Sequence, residues 1–158
     1  MTGRDIGRVA AVALVAGLVA AVVEMVFVLP IQQVVLHNPP VVVFQSIAMG
    51  ALGRAAFAGG WTSGAEGVFW RLLVSVVAAA VYATAALRWP LLVRRPILCG
   101  VGFGVLVYVF MIFGVIPLSR IGFNMPKANV LTLISFGVHL FAFGLPIALV
   151  TRAMLRRA

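Results

Sequence analysis

The sequence predicts an all-α membrane protein, a four-transmembrane-helix bundle with a short outer interfacial helix between helices one and two. Three observations lead there. Four long apolar stretches run through the chain: residues 9–31 carry one charge, Glu24; residues 72–87 and 96–119 carry none; residues 128–151 carry only His139. At ~1.5 Å per residue, ~20 apolar residues cross a ~30 Å hydrocarbon core. Second, 64% of residues are hydrophobic and 9% charged, against ~25% charged in a soluble domain. Third, the positive charges alternate between the two ends of those stretches. Arg4, Arg8, Arg88, Arg94, Arg95, Arg152, Arg156 and Arg157 fall at one end, and Arg54, Arg71, Arg120 and Lys127 at the other. The excess at the first end puts both termini and the middle loop in the cytoplasm under the positive-inside bias. Residues 1–158 then form a single four-helix transmembrane domain.

Helix one is expected from about Ile6 to Leu29, ended by Pro30 and the polar patch from Gln32 to Pro40. Its apolar run reaches Ile31, too long for a signal-peptide core of ~7–15 residues, so it reads as a retained helix. Residues 41–58 are apolar enough to suggest a fifth span. A fifth span would put Arg88, Arg94 and Arg95 outside, and Arg54 would face lipid at high cost. A short helix at, or dipping into, the outer interface is expected instead. Gly59-Gly60-Trp61 breaks the chain, and Ser63-Gly-Ala-Glu66 has capping-box spacing that would start helix two, ending near Leu87. Helix three is expected over Pro96–Ile116, and helix four over Asn129–Arg152, with Asn129 as N-cap and a bend at Pro146.

Small residues recur at helical spacing. Helix one carries Ala13, Gly17 and Ala21, and helix three carries Gly100 and Gly104. Such strips let helix backbones approach closely in a membrane, and pairing these two with each other is the simplest expectation. An internal match also appears: Gly17–Pro30 reads GLVAAVVEMVFVLP and Gly104–Pro117 reads GVLVYVFMIFGVIP, with Trp70-Arg71-Leu72 opposite Val138-His139-Leu140. Duplication of a helical hairpin would produce it, as would chance identity between Val-rich helices.

The glycine-containing first helix ending at Pro30, the short helix after it, VAAAVYATAAL closing helix two and SFGVHLFAFG in helix four together resemble a loose family of small bacterial four-helix inner-membrane proteins, the YagU-like ones. The resemblance implies the architecture, and a histidine at the His139 position. Arg71 stands where that pattern would lead one to expect a second histidine. No activity is implied. Eleven arginines against one lysine also look like a high-GC bacterial genome, which again suggests an inner membrane.

Candidate functional residues are few. Glu24 lies ~7–8 Å below the outer end of helix one, where a carboxylate must be paired, protonated or hydrated. Arg71, ~12 Å down helix two, is the expected partner, with Arg54, Arg120 and Lys127 competing. His139 lies ~15 Å down helix four, where it would hydrogen-bond a carbonyl, Ser75, Thr84 or Tyr108. Glu24, Arg71 and His139 form the candidate intramembrane polar site. No metal site is expected, because no ligand pair falls at i,i+3 or i,i+4 and Cys99 is the single cysteine. No cofactor is expected either. Enzyme signatures such as GxSxG, HExxH or a phosphate-binding loop are missing from the sequence. The net charge of +9 is spread between apolar runs rather than along a soluble face, which argues against nucleic acid. Two readings of role remain. The first is a structural or accessory protein acting on a second copy or another membrane protein through helix contacts. The second is a small proton- or cation-coupled transporter or ligand-binding protein using Glu24.

Overall fold

A computed structural model describes residues 3–122 and 129–156. Lys127 and Arg157, both counted in the charge pattern above, lie outside the described residues. Among the described residues there are helices and no strand. Five helical stretches are long and apolar enough to cross a membrane: Gly3–Leu36, Pro40–Ala58, Gly60–Arg88, Pro96–Leu118 and Val130–Arg156. They mark the chain as a multi-pass membrane protein. Its packing agrees with that class. The interior is built largely from alanine (Ala13, Ala16, Ala20, Ala21, Ala79, Ala83, Ala86, Ala148), while Val22, Val26, Phe27, Leu106, Phe110 and Phe141 are exposed. Small residues inside and large apolar ones outside suit lipid as the solvent, where van der Waals contact between close backbones replaces a hydrophobic driving force.

Helix α1 spans Gly3–Leu36 and carries Pro30 inside it. The expectation that Pro30 ends the helix is corrected. Proline removes one backbone hydrogen bond, a loss that spanning helices absorb, and the last turns of α1 pack with Leu131, Ile134 and Ser135 around a small cavity. Termination falls instead at His37, whose backbone is left-handed (φ 54°), with the Asn38 amide returning to the Gln32 carbonyl at 3.2 Å.

Helix α2, Pro40–Leu52, begins with proline at its first position and runs into a 3-10 turn over Gly53–Ala58. Its attachments cluster. The Gln45 side-chain amide donates to the Gly60 carbonyl at 2.9 Å and reaches Ser63 Oγ at 3.4 Å. A Cβ on Gly67 would overlap the Phe44 carbonyl, and one on Gly64 would touch Val41. Near its other end, the Gly50 carbonyl accepts from the Arg120 amide at 2.9 Å. Thus α2 is fastened to the start of α3 (Gly60–Arg88) and to the chain leaving α6 (Ile116–Leu118).

The capping box expected at Ser63 is not formed. Helix α3 starts three residues earlier, at Gly60. Ser63 Oγ donates to the Ala56 carbonyl at 2.5 Å, while Glu66 accepts from Trp70 Nε1 at 3.3 Å. Gly60 takes a positive φ of 55°, which lets the helix begin directly out of the 3-10 turn. The hydroxyl is therefore drawn to the Ala56 carbonyl, which also accepts from the Gly59 amide at 3.3 Å. From Trp61 to Trp89, both exposed, α3 covers ~42 Å, close to the ~40–45 Å between the two headgroup layers.

After the short helix α4 (Leu91–Arg94), α5 covers Pro96–Phe110, followed by a π-helical turn over Met111–Val115 and then α6. The last stretch repeats the device: α7 (Val130–Val138), a π-helical turn over His139–Gly144, and α8 (Leu145–Arg156). Each widened turn sits just ahead of a proline, Pro117 or Pro146. There it relieves the clash between the proline ring and the preceding turn's carbonyl. Asn129 caps α7, its Oδ1 accepting from the Thr132 amide at 2.9 Å.

The two small-residue strips do not pair with each other as expected. Gly17 of α1 lies against Ser75 and Val76 of α3, where an added Cβ would come within 2.6 Å of the Val76 Cα. Gly100 and Gly104 of α5 lie against Gly144, Ala148 and the His139–Leu140 backbone. Each glycine contact therefore falls between a helix and the one that returns alongside it. Between the hairpins, Ala16 and Ala20 share a buried cluster with Tyr82, Val107, Phe143, Ile147 and Ala148.

Candidate functional site

The buried face of α1 runs Ala13, Ala16, Gly17, Ala20, Ala21, Glu24. These steps of three and four define one helical stripe, so the small-residue strip also aims Glu24 inward. Glu24 is 3% exposed. On α3 the inward positions Gly67, Ser75, Ala79 and Tyr82 bracket Arg71 at the same spacing. Arg71 consequently faces α1, and its guanidinium Nη2 forms an ion pair with Glu24 Oε2. Its flat face stacks over Phe143, with Cζ 5.0 Å from the ring centroid. A cation on an aromatic face gains electrostatic stabilisation where water is excluded. Arg71 Nε is buried without a hydrogen-bond acceptor among the described residues.

His139 opens the π-helical turn, and its ring enters the same space. Nδ1 lies 2.9 Å from the Ser135 carbonyl and Nε2 lies 4.0 Å from Glu24 Oε1. A carbonyl can only accept, so this hydrogen bond requires the proton on Nδ1. Nε2 then turns toward the carboxylate. Tyr108 meets the imidazole edge-on at 5.3 Å between centroids, and Phe136 backs Tyr108 at 5.1 Å. All three residues proposed from the sequence thus converge, from three different helical stretches. Arg54, Arg120 and Lys127 were the rival partners. Gly53 lies near the Arg120 side chain, Arg54 follows it in the 3-10 turn, and Lys127 is outside the described residues.

Sequence reasoning missed several participants. Phe143 and Ser135 carry no individual signal in an apolar run, while Tyr108, expected as a hydrogen-bond partner of His139, meets it through its ring instead. Gly144-xxx-Ala148 carries the same small-residue spacing as the strips that were noticed, and it identifies the surface that α5 meets.

Two cavities adjoin the cluster. One, of about 510 Å³, is an open groove between α1 and α3 beneath Phe44, lined by apolar side chains except for Arg71. The other, of about 110 Å³, is lined by Gln32, Ser135 and His139 among apolar neighbours. Among the described residues, no three His, Cys, Asp or Glu side chains come together in a way that could hold a metal ion. Chemically, the arrangement can hold a buried charge pair, with an imidazole nitrogen 4.0 Å from the second carboxylate oxygen. No family model, no curated protein and no solved structure matches this chain.

Proposed function

We propose that this is a small, non-enzymatic inner-membrane protein of four spans with both termini cytoplasmic. Its role is structural or accessory, exerted through helix contacts with a second copy or another membrane protein. The resemblance to YagU-like proteins supports this architecture. Attachment of both ends of α2 at one end of the bundle, to Gly60–Gly67 and to Ser119–Arg120, supports an interfacial α2. A crossing α2 would carry Val41 and Phe44 ~25 Å away from the start of α3. The paired glycine contacts, Gly17 on Val76 and Gly104 on Leu140 and Gly144, support two duplicated hairpins.

The observation that carries the accessory reading is the Glu24–Arg71 pair: a carboxylate 3% exposed, paired with a guanidinium 12% exposed, in a site whose larger adjoining groove has an apolar lining apart from Arg71 itself. Such a pair locks α1 to α3. The second reading, proton coupling through Glu24, draws on His139 Nε2 at 4.0 Å and on the small cavity that reaches this ring. Proteoliposomes with an imposed pH gradient separate the two. The accessory reading expects the gradient to decay as in protein-free vesicles. Faster decay that disappears in both Glu24→Gln and His139→Phe would replace it with the proton-coupled reading.

A further inference from the structure

At the end of the bundle opposite α2, three arginines from three separate elements border one cavity: Arg8 of α1, Arg94 of α4 and Arg156 of α8. The cavity is about 360 Å³ and open, and its remaining wall is apolar, including Leu87, Val93 and Leu155. Arg8 Nε is buried there without a hydrogen-bond acceptor among the described residues. Charge at this end is far from balanced. Asp5 is the one acid, against Arg4, Arg8, Arg88, Arg94, Arg95, Arg152 and Arg156. Whichever arginine Asp5 engages, most of the positive charge is left for another anion. Membrane orientation requires basic residues near this surface. It does not require them to converge on a cavity with an apolar wall.

We propose that this cavity binds the phosphodiester headgroup of an anionic phospholipid. Guanidinium forks match phosphate oxygens geometrically and cannot lose their charge. Basic pockets between spanning helices hold such headgroups. The apolar wall of Leu87, Val93 and Leu155 gives the glycerol and first methylenes a surface that free phosphate would not use. Buried Arg8 Nε is the donor that the phosphate completes.

The test is lipid retention by the purified protein in detergent, read by native mass spectrometry with phosphatidylglycerol, cardiolipin or phosphatidylcholine added at equal concentration. In micelles the result does not depend on orientation in a membrane. We expect the anionic lipids to be retained at least about tenfold better than phosphatidylcholine. Arg8→Gln with Arg156→Gln should weaken that retention about 25-fold, at about fivefold per arginine. Arg54→Gln with Arg120→Gln removes the same charge elsewhere and should leave it unchanged. Arg8→Lys with Arg156→Lys keeps the charge if the glutamine pair fails to fold, and should still weaken binding by removing the forks. Equal retention of the three lipids, equal loss in the two glutamine pairs, or displacement of the lipid by inorganic phosphate at matched concentration would each overturn the proposal.

Discussion

Glu24 and Arg71 meet across the α1–α3 interface as a buried ion pair, with the His139 imidazole 4.0 Å from the other carboxylate oxygen. The pair is fixed by geometry on both sides. Gly17 lets α1 approach the α3 backbone at Ser75–Val76, and Glu24, two turns further along α1, comes level with Arg71, little more than one turn back along α3.

Breaking this pair leaves one uncompensated charge inside the bundle. Glu24→Gln should destabilise the protein by about 3–5 kcal/mol on the scale of soluble proteins, seen as a lowered Tm in detergent. Adding Arg71→Gln should cost much less than a second independent loss, because the stranded guanidinium disappears. Strict additivity of the two substitutions would remove the pair from the account.

The glycines should separate by position. Gly144→Ala and Gly67→Ala place a Cβ on neighbouring backbone and should destabilise by about 1–3 kcal/mol. Gly102, on the same helix as Gly100 and Gly104, has nothing within 4 Å of an added Cβ. Gly102→Ala should be neutral, or stabilising by up to about 1 kcal/mol through helix propensity. Equal effects at Gly102 and Gly144 would show that propensity rather than contact governs these sites.

Topology can be read with a Cys99→Ala background and single cysteines. Asn38→Cys and Thr62→Cys should both label with an impermeant reagent from outside, as should Asn124→Cys. Thr2→Cys and Arg157→Cys should be protected. Labelling of Asn38→Cys and Thr62→Cys from opposite sides would make the Pro40–Ala58 stretch a fifth span.

Gln45 fastens α2 through the Gly60 carbonyl and Ser63. Gln45→Leu removes that tie while the Gly60 carbonyl keeps the Ser63 hydroxyl, so it should cost about 0.5–1.5 kcal/mol. Amide exchange should accelerate over residues 53–62 while α5 keeps its protection. Unchanged exchange over 53–62 would mean that packing of Phe44 on Gly67 alone holds the segment.

Hydropathy and charge placement are local, nearly additive properties, so the sequence by itself determined the helical membrane class, the approximate reach of the long apolar stretches and the presence of Glu24, Arg71 and His139 within them. The strip from Ala13 to Ala21 also aimed Glu24 inward, since one helical stripe continues through it. Tertiary structure decided the rest. Lipid makes apolar faces nearly equivalent, so the partner of Gly17 or Gly104 depends on where two backbones fit, and shape of that kind is not written in hydropathy. The same holds for Pro30, carried inside α1 with the turns beyond it packed near Leu131 and Ile134, and for Ser63, drawn from its expected cap by the carbonyl of Ala56. It holds above all for His139, which reaches Glu24 from the π-helical turn ahead of Pro146, a meeting between two helices that no local pattern announced.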